Sequence, residues 1–197
     1  MSAGPRRPDL AAELICRAAE ADEHWHRLVR VSLPDQQVGQ GRHTDYLNAG
    51  YLKRIIEDYG WPDVQLVGDD GAEAAWQIAL RADIRKDVQL SAARLMYAAV
   101  QQGTASSRLW AHLHDRYRLN IGSPQVYGTQ YRRLLGPHGP ERADVHEPEG
   151  LDARRAQMDL PPAAEALERL RRRLAEDPPA VHRPGAAAGG ADLAEAA

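Results

Sequence analysis

From Leu47 to Tyr59 the chain places apolar residues at steps of three and four, and then it stops abruptly. Leu47, Tyr51, Leu52, Ile55, Ile56 and Tyr59 are followed directly by Gly60-Trp61-Pro62. The spacing is that of one face of an α-helix. Gly60 supplies a left-handed stop, Trp61 sits where it can fold back on Ile56, and Pro62 blocks any continuation. Thr44 is placed to cap this helix, with Asp45 in a first turn that favours negative charge.

Similar punctuation recurs along the chain and makes helix its dominant element. From Pro8 to Arg30, Leu10, Leu14, Ala18, Ala21, Trp25, Leu28 and Val29 describe a single face. Residues 31–42, with Pro34, Gly39 and Gly41, read as a loop. A third helix is expected from a cap at Asp70 through Ala82. A fourth runs from about Asp87 to Gln102 and stops at Gly103, a fifth from Ser107 to Asp115, and a last from Pro162 to Glu176. Tyr117, Leu119 and Ile121 then alternate ahead of Gly122-Ser123-Pro124, so 117–121 and 126–131 are expected to pair as a hairpin. Residues 136–150 hold three Pro and three Gly and read as a surface loop. The expectation is a mainly α fold: a single helical domain over residues 9–176 with a small β-hairpin near residues 116–131. Residues 1–8 are expected to be flexible. Residues 177–197, rich in Pro, Ala and Gly, are expected to be a disordered tail.

Composition narrows the function classes. The 197 residues contain no Phe, so Leu, Ile, Val, Ala and four Trp must build the core. The net charge of -3 gives no positive field, and nucleic acid is not expected as a partner. Cys16 is the single cysteine, which suits a reducing compartment, and no apolar run is long enough for a membrane span. A cytoplasmic location is expected. No cofactor is indicated, because GxSxG and glycine-rich nucleotide loops are absent. No metal site is expected either: His24 and His26, like His112 and His114, are two apart on helices and diverge by roughly 200°. The Arg169, Arg171, Arg172, Arg173 run, interspersed with Glu, reads as a solvated helix face.

Segment 111–131 is less ordinary. Asp115, Arg116, Gln125, Tyr127, Thr129 and Gln130 concentrate hydrogen-bonding groups around a helix end and a turn. Either they line a ligand pocket, or they satisfy each other and the local backbone. The run Gln125-Val126-Tyr127-Gly128-Thr129-Gln130 resembles the PQxYGTQ signature of a bacterial family, domain of unknown function 6624. Asp45 and Asn48 resemble its D-x-x-N, and Gly60-Trp61-Pro62 its GWP. Gly68 and Trp76 fit the segment that follows. Ala82-Asp83 and Gln89 match parts of its QHAD…Q stretch, Asp115-Arg116 its DR, and Asp152, Arg154-Arg155 and Leu160 its closing motif. The resemblance covers about residues 44–160. Leu80 and Arg81 stand where the family has Gln and His. If that histidine is a base or ligand in the family, the resemblance implies an altered or inactive member.

Two functions fit these residues. One is an enzyme or enzyme-like protein acting on a small polar molecule. Asp45 or Asp115 would be its acid or base and Arg116 an anion anchor, with Gln125, Tyr127, Thr129 and Gln130 orienting the ligand. The other is a noncatalytic ligand- or protein-binding module in which the same groups only recognise. No protein partner is legible.

Overall fold

The structure is a computed structural model that describes residues 4–30, 35–133, 140–176 and 193–195. It is mainly helical, as the apolar spacing requires. Helices α1 (Pro8–Arg30), α2 (Asp35–Tyr59), α3 (Val64–Leu80), α4 (Lys86–Gln101) and α5 (Ser107–Asn120) come first. A small antiparallel sheet follows, with β1 (Gln130–Arg133) between β2 (Pro140–Arg142) and β3 (Leu193–Glu195). A 3-10 turn at Pro148–Gly150 leads into α6 (Leu151–Ala156), and α7 (Ala163–Glu176) completes the helices. No described helix is long and apolar enough to cross a membrane.

The core is shared among the first five helices. Leu14, Leu52, Ile55, Leu66, Val67, Ile78, Met96 and Leu113 are buried there with Trp61, Trp76 and Trp110. α1 lies along α3, and small residues set their separation. Ala11, Ala18, Ala74 and Ala75 are buried, and a methyl added at Gly71 would come within 3.1 Å of Ala11 Cβ. Buried tryptophans need a partner for the indole N–H. Trp76 Nε1 donates to the Leu109 carbonyl at 2.7 Å and Trp110 Nε1 to that of Ala93 at 2.8 Å. A smaller cluster joins Tyr131 of β1 to Ala166 and Leu170 of α7.

The stop after α2 takes the expected form. Gly60 has φ 78°, its N–H donates to the Ile56 carbonyl at 3.0 Å, and Trp61 is 7% exposed within the core. Four boundaries differ from the sequence reading. α2 begins at Asp35, nine residues ahead of Thr44, so the expected loop is helical from residue 35 onward. Gly39 and Gly41 do not break it, and Gly41 has a packing reason to lack a side chain. A Cβ there would lie 2.5 Å from the His24 ring of α1. α3 is capped by Asp63 rather than Asp70: its carboxylate accepts from Gln65 N at 3.1 Å and Leu66 N at 3.0 Å. The helix breaks at Gly68, which explains why regular periodicity is legible only beyond it.

The third correction concerns the hairpin. Residues 116–120 continue α5, and the antiparallel pairing lies later, with Tyr131 opposite Arg142. Alternation of Tyr117, Leu119 and Ile121 suggested a strand because the inward side of this last helical stretch is polar. Fourth, residues 140–142 and 148–150 of the expected surface loop are strand and 3-10 helix. At the N-terminus, Arg6 N and Arg7 N donate to the Gln65 and Leu66 carbonyls, so residues 6–7 of the expected flexible segment are held. Most of the expected tail lies outside the described residues. Within it, the backbone of Leu193–Glu195 pairs with β1.

Gly60→Ala should lower stability by about 1 kcal/mol, because a methyl meets open space there but the backbone keeps a positive φ. Trp61→Ala should cost about 3–5 kcal/mol by emptying a core site. Urea denaturation of both variants checks the ranking.

Candidate functional site

The residues singled out in the sequence form two polar clusters, joined by α5. The first surrounds Asp115, which is fully buried. Its Oδ1 accepts from Val126 N at 2.8 Å and Tyr127 N at 3.1 Å. Its Oδ2 accepts from Thr129 N and from the Thr129 hydroxyl, both at 3.0 Å. Segment 125–130 is thus wrapped around one carboxylate, with Gly128 turning it at φ 63°.

The rest of the segment is held just as fully. Gln125 Nε2 donates to the Gln130 carbonyl at 3.0 Å and that of Ala143 at 2.8 Å, and its Oε1 accepts from Gln130 N at 2.9 Å. Gln130 Nε2 donates to the Thr129 hydroxyl at 3.3 Å. Arg155, 2% exposed, donates from NH1 to the carbonyls of Tyr127 at 2.7 Å and Gly128 at 3.2 Å, and from Nε to that of Pro161 at 2.6 Å. Burial lowers the pKa of its guanidinium. Arg154 Nε donates to the Val126 carbonyl at 3.0 Å. The Tyr127 ring packs edge-on against Trp110 and His114, each at 5.7 Å, and burial followed by the Asp115 charge raises its hydroxyl pKa. Asp115, Gln125, Tyr127, Thr129 and Gln130 therefore do converge. The side-chain hydrogen bonds of Asp115, Gln125, Thr129 and Gln130 given above are with one another and with backbone, and Tyr127 packs against Trp110 and His114.

Arg116 turns the other way. One residue along a helix is a rotation of about 100°, and this aims its guanidinium at Asp83 in the turn between α3 and α4. Nε reaches Asp83 Oδ1 at 3.0 Å and NH2 reaches Oδ2 at 2.5 Å. Gln89 Nε2 donates to Asp83 Oδ1 at 3.3 Å, and Asn120 Nδ2 donates to Gln89 Oε1 at 3.0 Å. This second cluster extends to Asp45 on α2. One turn beyond Asp45, Ala49 packs against Ala82 and Val88, which sets this part of α2 against the α3–α4 turn. Asp45 is 8% exposed and accepts from Trp25 Nε1 at 3.0 Å. Asn48, on the same side of α2, accepts from Arg17 NH1 at 3.3 Å. Arg81 NH2 contacts Asp22 Oδ1 at 2.6 Å.

Asp45 has the perturbed chemistry. Burial pushes its carboxyl up from the ordinary 3.8 to about 6, against the opposing effects of the Trp25 hydrogen bond and the Arg81 charge. The nearby Asp83 charge adds to the rise, and His24 opposes it. Between α1 and α2 lies an open hollow of about 580 Å³, lined by His24, Gly39, Gln40, His43 and Thr44. His24 and Thr44 are the chain neighbours of Trp25 and Asp45. Among the described residues, no group of three or more His, Cys, Asp or Glu is placed to hold a metal ion.

Asp22, Trp25, His24 and His43 were not singled out as site residues by the sequence. Nothing in their spacing marks them: Asp22, His24 and Trp25 approach Arg81 or Asp45 only once α1 packs against α2 and α3, and His43 is part of the hollow's wall. Arg81 and Asp83 had one signal, their place in the QHAD-like stretch.

The candidate site residues thus fall at two places in one fold. A family model described as a family of unknown function, DUF6624, matches residues 8–177, and the chain belongs to that family. No curated protein and no solved structure matches the chain.

Two predictions separate the clusters. Asp115→Ala should destabilise by more than about 3 kcal/mol, because it strips several buried N–H groups of a charged acceptor. Asp115→Asn should recover only part of this, since its amide would face the Thr129 N–H; chemical denaturation measures both. Asp45 behaves oppositely. Its folded pKa is raised, so its contribution to stability is full below pH 3.8 and is lost as pH rises through about 6. Asp45→Asn should therefore gain on the wild type between pH 4 and pH 7, by on the order of 1–3 kcal/mol. Parallel melting curves across that range would refute the shift.

Proposed function

We propose that this member of the DUF6624 family is a cytoplasmic bacterial protein, an enzyme or enzyme-like protein acting on a small polar molecule at Asp45. The observation that carries this reading is the state of Asp45. A carboxyl with its pKa pushed up to about 6, one residue along the chain from Thr44 in the wall of an open hollow, exchanges its proton close to neutral pH, as a general acid or base must. Asp83 and Arg116 form the polar floor next to it, and Gln89 and Asn120 fix that pair in place. Arg116, matched by Asp83, orients this floor rather than serving as a free anion anchor. Asp115, Gln125, Thr129 and Gln130 hold the 125–130 loop, and Asp115 is assigned no proton transfer.

A noncatalytic binding module is the second reading. It is favoured by Arg81 and Arg116 each already facing a carboxylate of the protein itself. Exposed apolar side chains at Tyr46, Ile84 and Ile121 lie close in sequence to Asp45, Asp83 and Asn120 and suit recognition as well as catalysis.

A thermal-shift screen of a metabolite library, run on the wild type and Asp45→Asn, tests the proposal. A ligand specific to the native state raises its melting temperature. The expected result is a hit that the substitution abolishes, followed by turnover of that hit with a pH limb near 6. Hits indifferent to Asp45→Asn would place the site elsewhere. A hit dependent on Asp45 without turnover would select the binding module.

A further inference from the structure

We infer that the ligand of the Asp45 site carries a protonated amine, and that the Asp45 carboxylate is its counter-ion. The inference rests on the Asp45 site proposed above and adds the chemistry of what enters it. Among the described residues, the arginines named around Asp45 are matched in pairs, and Asp45 is left over. Arg81 faces Asp22 at 2.6 Å, Arg116 faces Asp83 at 2.5 Å, and Arg17, a further cation on α1, faces Glu13 at 2.7 Å. Among the described residues Asp45 is in no ion pair, and its hydrogen bond comes from a neutral indole at 3.0 Å. A carboxylate has about four acceptor positions, so most of its capacity is unused.

An arriving anion would meet that unmatched charge, and a neutral group would leave it unmatched. A cation completes it. A hollow in the same α1–α2 groove has the size of a small-molecule site, and the described residues of its wall, His24, Gly39, Gln40, His43 and Thr44, include neither Lys nor Arg.

The probes are 1,4-diaminobutane, agmatine and tyramine, set against 1,4-butanediol and succinate, at pH 7.5 and 0.1 M salt. Binding is read from the Trp25 indole N–H resonance in ¹H–¹⁵N spectra of the full chain, assigned with Trp25→Phe. At least one amine should shift the resonance in a saturable way, while the diol and the diacid do not. Asp45→Asn should weaken the amine by at least about tenfold, the scale of one lost charge-assisted contact. Asp45→Glu, which keeps the charge, should retain the preference for amines. Amines that fail to bind, or that bind Asp45→Asn as well as wild type, overturn the inference. Binding of the diol or diacid that is lost in Asp45→Asn overturns the amine assignment and leaves the Asp45 site standing. Failure of the site itself shows separately, as library hits that ignore the substitution.

Discussion

The buried carboxylate of Asp115 is the interaction on which the second half of this fold depends. A six-residue loop cannot enter a protein interior unless its peptide N–H groups find acceptors. Asp115 supplies them from the middle of a helix, taking Val126, Tyr127 and Thr129 onto one side chain. The carbonyls of the same loop need donors, and those come from Arg154 and Arg155 of α6. An anion and a cation thus grip opposite polarities of one backbone segment. Neither is left as an isolated charge without hydrogen bonds, the condition under which burial would be prohibitive.

α5 carries this grip on one side and a different task on the next. Arg116, adjacent to Asp115, leaves the loop and joins Asp83, Gln89 and Asn120. The orientation of the polar floor near Asp45 therefore depends on the same helix that the loop clamps. A rigid element links the two clusters, and a disturbance of the loop has a mechanical route to the Asp83 side. Arg81 sits on this second side and is engaged by Asp22.

Helical content was legible because most apolar residues of the periodic pattern on α1, α2 and α4 mark buried faces, although Leu47 and Tyr59 of α2 and Leu95 of α4 are exposed. Gly60-Trp61-Pro62 was legible because stop chemistry is local. What failed was whatever depended on tertiary partners. Gly41 looks like a loop residue until the His24 ring is placed over it. The end of α5 looks like a strand because its inward groups, Asp115, Arg116 and Asn120, are polar. Segment 111–131 stood out correctly as unusual, but type and spacing do not distinguish a loop that binds from a loop that is bound. The partners that decide it, Arg154 and Arg155, lie about one helix-length further along the chain. Asp45 came into view only through a motif, since its perturbation arises from burial between α1 and the α3–α4 turn.

The Arg155 contacts also have a bearing on the order in which this protein takes shape on the ribosome. Helices α1 to α5 draw most of their shared core from residues before 121. The 125–130 segment, by contrast, must await donors at positions 154 and 155 and the chain reversal at Pro161 that seats the second of them. A nascent chain that has emerged only to residue 150 would hold a nearly finished helical bundle beside a loop whose carbonyls lack their partners. Emergence of one short helix then locks the loop, so α6 acts as the latch on a structure assembled from its front end.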